Sequence, residues 1–368
     1  MTTNDLSIYV HIPFCGKKCN YCAFYSLPAC DESCKQEYTE ALLRQINSIK
    51  TSRSVSSVYF GGGTPPELGA GRLSATLAAI MDSFSLTRDC EITVEINPGG
   101  ITRNELKLLR YAGFNRISLG MQSSVDKELA VLGRAYTSAE YGETLNAVLQ
   151  TGFSNISTDI IFGIPHQTKE TLKESLMTAI KAELPHISVY SLSIEEGTPF
   201  FGMKDSLNLP DEESEEEMHL LICSLLKKHN YEHYEISSFA KKGWESRHNL
   251  HYWSCGEYIG FGAAAHSYYN GKRFSNASDA IKYTELADVN YYSPTDYGEQ
   301  PLLTYEDLRT ERIMLGLRTS KGIIADKNML DRSKVYIKNG FAQLDGDILS
   351  LTEKGFRVSN SIIAELLL

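Results

Sequence analysis

Six short, β-rich apolar runs alternate with helix-length segments in the first half of the chain, and this alternation constrains the fold more than any other feature. The runs are Ser7–Pro13, Val55–Gly61, Glu91–Pro98, Arg116–Gln122, Asn155–Gly163 and His186–Ser193. Strands separated by helices predict parallel βαβ units. Between two runs, Leu73, Leu77 and Ile80 recur at the spacings of one helix face. The pattern predicts an α/β fold, an open partial (β/α)6 barrel, with a doubly wound open sheet as the alternative.

The rest of the chain follows a different pattern. Residues 206–303 begin with the acidic run Asp211–Glu217, which we expect to interact with the dipole of the helix it starts rather than to bind a cation. Residues 304–368 predict two helices, a hairpin around Asp345-Gly346 and a final helix. The predicted organisation is therefore a barrel over residues 1–205, a connecting region over 206–303, and a smaller α+β C-terminal region, winged-helix-like at the end, over 304–368.

Charge and hydropathy exclude two classes of partner. The formal net charge is −10, and residues 304–368 hold ten basic and nine acidic side chains. A nucleic-acid-binding surface needs a basic excess, so no nucleic-acid partner is expected. No run approaches the roughly 18 apolar residues of a membrane span, and the N-terminus lacks a basic-then-apolar leader. A cytoplasmic location is expected.

Five of the eight cysteines lie within the first 34 residues, a clustering typical of a metal or redox site. Cys15, Cys19 and Cys22 directly follow the first predicted strand. Three thiolates in such a loop suit a [4Fe–4S] cluster with one iron left open, and a zinc site completed by a histidine is the alternative. Cys30 and Cys34, four residues apart on a predicted helix, are interpreted as ordinary buried thiols.

Polar groups and glycines stand at the ends of the later strands. The run Gly61–Pro65 follows the second strand, Glu95 ends the third, Gln122 ends the fourth, and Asp159 lies in the fifth. In α/β barrels the carboxyl ends of the strands meet at one face and build the ligand site there. We therefore expect a ligand site in which backbone groups of the glycine run approach the ligand closely.

The cysteine spacing resembles that of the radical S-adenosylmethionine (SAM) superfamily. The segments that carry a narrower resemblance are IYVHIPFCGKKCNYCAFYS, YFGGGTP, EITVEINPG, RISLGMQS, LGRAY, TDIIFGIPHQT and HNLHYW. Together they resemble the oxygen-independent coproporphyrinogen III oxidase family and, within it, the HemW haem-chaperone branch. The resemblance covers nearly the whole chain and implies a radical SAM partial barrel.

The resemblance also implies site residues. Cys15, Cys19 and Cys22 would hold the [4Fe–4S] cluster, whose open iron would bind SAM. The SAM-contacting positions would be Tyr9, Tyr21, Gly62, Gly63, Thr64, Glu95, Gln122, Arg134 and Asp159. An arginine suits this role because its planar fork binds a carboxylate by charge-assisted hydrogen bonds.

Three features separate this chain from the oxidases that it resembles. Phe24 stands where those enzymes carry a further cysteine, and the first strand begins by about Ser7 without their long N-terminal extension. The third feature is the motif His248-Asn249-x-x-Tyr252-Trp253, which the resemblance associates with haem. His248, Asn249, Tyr252 and Trp253 are therefore expected to contact haem, although a local role in packing is the alternative for this motif.

These features predict a haem chaperone that binds haem as cargo and passes it to an acceptor haem protein. The alternative is an oxygen-independent coproporphyrinogen III oxidase that decarboxylates its substrate to protoporphyrinogen IX with SAM. No catalytic residue is assigned, and whether the protein is an enzyme is left open. A membrane-associated acceptor and a homodimer are also left open.

Overall fold

The structure of the protein, a computed structural model, describes residues 5–28, 30–286 and 302–368. Its strands are β1 (Leu6–Ile12), β2 (Phe14–Cys15), β3 (Leu27–Pro28), β4 (Ser54–Gly62), β5 (Ser85–Ile96), β6 (Arg116–Gln122), β7 (Asn155–Phe162), β8 (His186–Ser191), β9 (Glu232–Glu235), β10 (Ser238–Ala240), β11 (Tyr258–Phe261), β12 (His266–Tyr269), β13 (Lys272–Ser275), β14 (Ile323–Ile324), β15 (Ala342–Asp345) and β16 (Ile348–Leu351).

The helices connect these strands and cover the sheet. They are α1 (Glu32–Ser48), α2 (Ala70–Ser83), α3 (Arg103–Ala112), α4 (Asp126–Leu132), α5 (Ser138–Gln150), α6 (Lys169–Lys181), α7 (Pro199–Gly202), α8 (Glu212–Lys228), α9 (Arg247–Trp253), α10 (Ala280–Leu286), α11 (Tyr305–Gly316), α12 (Lys327–Lys338), α13 (Glu353–Phe356) and α14 (Ser359–Leu367). None of the helices in the described ranges is both long and apolar enough to cross a membrane.

The six predicted strands are confirmed as one parallel sheet. They lie side by side in chain order, β1-β4-β5-β6-β7-β8, and every neighbouring pair is parallel. A doubly wound sheet would reverse its strand order at a switch point. The unbroken order excludes that alternative and supports the partial barrel.

Short strands that were not predicted from the sequence extend this sheet at both edges, and all of them pair antiparallel except β11, which runs parallel to β1. β10 and β9 continue it beyond β8, and β11, β12 and β13 continue it beyond β1, giving eleven strands in all. Four-residue strands rich in aromatic side chains show too little periodicity to be recognised in a sequence. The chain between β10 and β11, which includes α9, crosses from one edge of the barrel to the other.

The two faces of the barrel strands differ in chemistry. One set of alternate residues, including Ile8, Val10 and Phe60, is apolar and packs in the main hydrophobic core with the helices. The other set is polar and points inward: Tyr9 lies beside Tyr59 in register, and Glu95 beside Ser118. Because side chains alternate along a strand, the barrel interior is lined by buried hydroxyl, carboxyl, imidazole and guanidinium groups.

Residues 304–368 form a smaller α+β module with its own hydrophobic core. The predicted hairpin is confirmed as β15 and β16, and β14 adds a third strand. The resemblance to a winged helix stays a prediction. A bidentate ion pair from Arg273 of β13 to Glu311 of α11, with contacts of 2.6 and 3.0 Å, joins this module to the edge of the barrel sheet.

Candidate functional site

A pocket of about 600 Å³ opens at the carboxyl ends of the barrel strands, as the sequence predicted. It brings together all but one of the residues proposed for the cluster and SAM. They are Cys15, Cys19, Tyr21, Cys22, Gly62, Gly63, Thr64, Glu95, Gln122, Arg134 and Asp159. The exception, Tyr9, lies beneath the pocket, where its hydroxyl is hydrogen-bonded to His11 Nδ1 at 3.0 Å.

The three cysteines lie on a loop held at both ends. The short parallel pair β2 and β3 joins the two arms of the loop, and Asn20 donates its backbone and side-chain N–H groups to the carbonyls of Leu132 and Val131, at 3.0 and 2.9 Å. All three thiols are free. Burial raises the pKa of the Cys15 and Cys19 thiols, and a cation beside them would favour the thiolate forms.

The thiol arrangement fits a cluster better than a single zinc ion. Within the described ranges, no group of three or more His, Cys, Asp or Glu side chains is placed to hold one metal ion. The three thiols nevertheless line a single pocket. Thiols spread around a pocket, with no histidine among its lining residues, suit the corner of an iron–sulfur cube.

The glycine run allows backbone to line the pocket. Gly62 has φ 108°, and a Cβ on it would lie 2.4 Å from the His11 ring. A Cβ on Gly63 would lie 2.6 Å from the Phe14 carbonyl oxygen. Only glycine fits both positions without moving the chain, and the neighbouring Thr64 hydroxyl accepts a hydrogen bond of 2.9 Å from Asn97.

Two carboxyl groups and one guanidinium dominate the electrostatics of the pocket. Burial raises the pKa of Glu95 to about 7, and the Tyr59 hydroxyl donates to its Oε1 at 2.6 Å. Burial also raises the pKa of Asp159, which accepts a 3.2 Å hydrogen bond from Ser118. Arg134 donates to Tyr21, and its buried Nε has no partner in the described part of the chain. These groups suit a zwitterionic ligand with a carboxylate and several donors.

Several lining residues were not assigned to SAM or the cluster from sequence. Lys17 and Lys18 come from the cysteine loop, Ser118 from β6, and Tyr190 from β8. The sequence did contain a signal for Ser118. It alternates in β6 with Arg116 and Gly120, and alternate residues of a strand face the same side. Phe24 stands at the same pocket with 70% of its surface exposed.

The predicted haem motif lies at the opposite end of the barrel. It forms α9, whose first turn is capped by Ser246 and by the Glu91 carboxylate, which accepts from the backbone N–H groups of Arg247 and His248 at 3.3 and 3.1 Å. Glu91 pairs in register with Ser57, which lies in the amino-terminal half of β4. Helix α9 therefore closes the lower end of the barrel.

His248 is buried, with both ring nitrogens engaged. Its Nδ1 is hydrogen-bonded to Ser57 at 2.9 Å, its Nε2 to the Tyr252 hydroxyl at 3.0 Å, and burial lowers its pKa to about 3. Its ring stacks on Tyr59 with centroids 5.0 Å apart. Tyr59 also donates a hydrogen bond to Glu95. A continuous chain of contacts therefore joins α9 to the pocket at the carboxyl ends of the strands, which we call the upper pocket.

A second cavity, of about 1260 Å³, lies between the lower end of the barrel and the C-terminal module. Of the four residues predicted to contact haem, Trp253 lines this cleft, together with its neighbours His251 and Cys255. His248, Asn249 and Tyr252 lie outside its lining. The structure thus places two separate cavities at the two ends of the barrel.

Comparison with known proteins first defines the class. The sequence profile of the radical SAM superfamily matches residues 9–179, a range that contains every residue of the predicted cluster and SAM site. The solved structure of coproporphyrinogen III oxidase (HemN) from Escherichia coli superimposes with a TM-score of 0.83, covering 98% of this chain and 90% of that one at 22% identity. The protein is a radical SAM protein with the overall fold of that structure.

Sequence relatives then identify the family. The Heme chaperone HemW of Lactococcus lactis is 33% identical over 98% of this chain and 97% of its own length. The Heme chaperone HemW of Bacillus subtilis is 38% identical over 86% of this chain and 84% of its own length. The chain belongs to the HemW family, and the predicted resemblance is confirmed.

Proposed function

We propose that this protein is a haem chaperone that binds haem and transfers it to an acceptor haem protein. The observation that carries the proposal is full-length similarity to the HemW family, in a chain whose helix α9 contains the predicted haem motif and lines a large cleft through Trp253. We place the protein in the cytoplasm. A membrane-associated acceptor and a homodimer are further proposals.

The upper pocket fits the two cofactors of the superfamily. We propose that Cys15, Cys19 and Cys22 hold a [4Fe–4S] cluster, and that Arg134, Glu95 and Asp159 bind SAM with the glycine run beside them. The unpartnered Nε of Arg134 and the two half-buried carboxyl groups support this assignment. When bound, the cluster would supply an open iron site and one electron.

Within this proposal, the motif residues act in different ways. Trp253 reaches the cleft, whereas His248 lies behind it and is engaged by Ser57 and Tyr252. Direct ligation of haem iron by His248 would require one of these two hydrogen bonds to break and the buried ring to become accessible to the iron. His248 therefore supports the site mainly by holding α9 against the barrel.

A coproporphyrinogen III oxidase is the second candidate, favoured by the fold shared with HemN. That likeness rests on 22% sequence identity. The relatives named Heme chaperone HemW are 33% and 38% identical over most of the chain. This argues for the chaperone.

The deciding experiment is an anaerobic titration of the reconstituted protein with haem, followed by gel filtration. We expect a stoichiometric Soret band that elutes with the protein, and transfer of that haem to an apo-haem acceptor on mixing. Haem that stays in the free fraction, together with turnover of coproporphyrinogen III in the presence of SAM, would replace the chaperone by the oxidase.

A further inference from the structure

The second cavity, the cleft between the lower end of the barrel and the C-terminal module, is separate from the upper pocket. Its lining combines barrel residues near the amino ends of the strands, such as Arg53 and Ser56, with residues of the C-terminal module. The linings of the two cavities have no residue in common. A cavity between two structural units is a frequent location for a ligand, and this one is about twice the volume of the upper pocket.

The cleft is basic although the protein as a whole is acidic. Five basic and three acidic side chains line it, in a chain with a formal net charge of −10. Three of the basic groups are engaged by carboxylates: these pairs are Arg53 with Glu257, Arg247 with Asp89, and Arg309 with Asp326.

The two remaining cations are not engaged. Arg312 and Lys321 are exposed and form no ion pair or hydrogen bond with any residue that the structure describes. Both belong to the C-terminal module. Unpaired cations beside a concave surface favour a ligand with negative groups.

The cleft also exposes large apolar groups. Tyr305 is 79% exposed and Ile324 74% exposed, and both line the cleft on the side of the C-terminal module. Trp253 of α9 lines the barrel side. Apolar side chains exposed in a concave site mark a surface that a ligand covers, and aromatic side chains on two walls suit a flat ring.

We propose that this cleft is the haem-binding site, with Arg312 and Lys321 binding the two propionates and the macrocycle lying between Trp253 and the Tyr305–Ile324 wall. The inference rests on the proposed function, namely that the protein binds haem. It assigns the recognition of the cargo to the C-terminal module as well as to the motif helix. Haem combines a large flat apolar ring with two carboxylates, which is the chemistry that the cleft complements.

The test uses substitutions that remove charge and leave size nearly unchanged. The variants are Arg312→Gln, Lys321→Gln and the double variant, compared with Arg103→Gln and Lys338→Gln, which are exposed positions outside the cleft. Each full-length reconstituted protein is titrated with haem and with haem dimethyl ester, and the Soret absorbance is followed. The ester lacks the negative charges that the two cations would bind.

We expect each cleft substitution to raise the Kd for haem by roughly three- to tenfold, and the double variant to raise it further. The controls should bind haem like the wild type, and all proteins should bind the ester with one common affinity, which also shows that the variants are folded. Haem affinity unchanged in the double variant would overturn the cleft assignment but leave haem binding intact. A wild-type protein that binds no haem would overturn the proposed function itself.

Discussion

Glu95 is a half-buried carboxyl group of the upper pocket whose protonation makes the stability of the protein depend on pH. Burial is the largest cause that raises its pKa from 4.5 to about 7, although Tyr59 donates a hydrogen bond to it. The native state therefore holds this proton more tightly than the unfolded state does. The stabilisation that this bound proton gives is complete below pH 4.5 and is lost as the pH rises to about 7. Above that pH the free energy of unfolding no longer changes through this group.

We expect Glu95→Gln to remove this pH dependence in the cofactor-free protein. The difference in unfolding free energy between variant and wild type should grow in favour of the variant by about 3 kcal/mol between pH 4.5 and 7.5. Urea unfolding at a series of pH values measures it, with the exposed Glu232→Gln as control. Parallel curves for wild type and Glu95→Gln would show that Glu95 keeps an ordinary pKa.

His248 is expected to act as a structural residue of the motif. His248→Ala removes the hydrogen bonds of the ring to the Ser57 and Tyr252 hydroxyls and opens a cavity beside Tyr59. The unfolding free energy should fall by about 2–4 kcal/mol, whereas the exposed His266→Ala should change it little. If His248→Ala instead keeps wild-type stability and shifts the Soret band of bound haem, His248 is an axial ligand.

At the scale of elements, the cysteine loop is held by backbone contacts that do not depend on the thiols themselves. Asn20 fixes the loop to α4, and β2 pairs with β3 across its base. A substitution of one cysteine should therefore remove the cluster without unfolding the loop. We expect Cys19→Ala to lose the four-iron cluster after anaerobic reconstitution, measured by iron and sulfide content.

Cys223→Ala is the matched control, because Cys223 is also a free cysteine but is buried in α8, away from the pocket. Cys223→Ala should retain full iron and sulfide. A Cys19→Ala protein that still binds four irons would remove Cys19 from the ligand set.

The interpretation of Cys30 and Cys34 as ordinary buried thiols is wrong, because the structure joins these two residues in a disulfide at the start of α1.

The six barrel strands could be predicted from the sequence, whereas the short strands that extend the sheet at its edges could not. The prediction Arg116–Gln122 matches β6 residue for residue, because a buried parallel strand is long and bounded by turn residues. In contrast, β10 has three residues and β11 four, too few to show a period. The ligand site at the strand ends could be predicted, because the topology alone brings the glycines and carboxyl groups of those ends together. The burial of His248 could not be predicted, because it depends on contacts with Glu91 and Ser57, which are distant in sequence.

At the scale of the whole molecule, the barrel and the C-terminal module have separate cores, joined by polar contacts and by Ile236 and His233, which pack against the module. The Arg273–Glu311 pair connects β13 to α11, and the Arg273 guanidinium also lies over the Tyr268 ring at 4.7 Å. A partly exposed bidentate pair of this kind contributes about 1 kcal/mol. The Arg273–Glu311 pair therefore supplies one part of the attachment on the side of α11, beside the backbone bridge of Glu235 with Thr319 and the apolar contacts of Ile236.

We expect Arg273→Gln to increase amide hydrogen exchange in α11 while exchange in β4 to β7 stays unchanged, because the module loosens before the barrel opens. Hydrogen exchange followed by mass spectrometry measures both regions. Lys334→Gln, which removes an exposed pair within α12, should leave both regions as in the wild type. Faster exchange throughout the barrel as well would show that the two units unfold as one.

The crossing of α9 beneath the barrel has a mechanical consequence. β10 is paired with β8, the last of the six barrel strands, and β11 is paired with β1, the first. The segment between β10 and β11 therefore connects the two sides of the open barrel by a fixed number of residues. That length sets how far the edges stand apart. An insertion of one helical turn, about 5.4 Å, would let these two strands move further apart, so we expect this segment to tolerate little change in length.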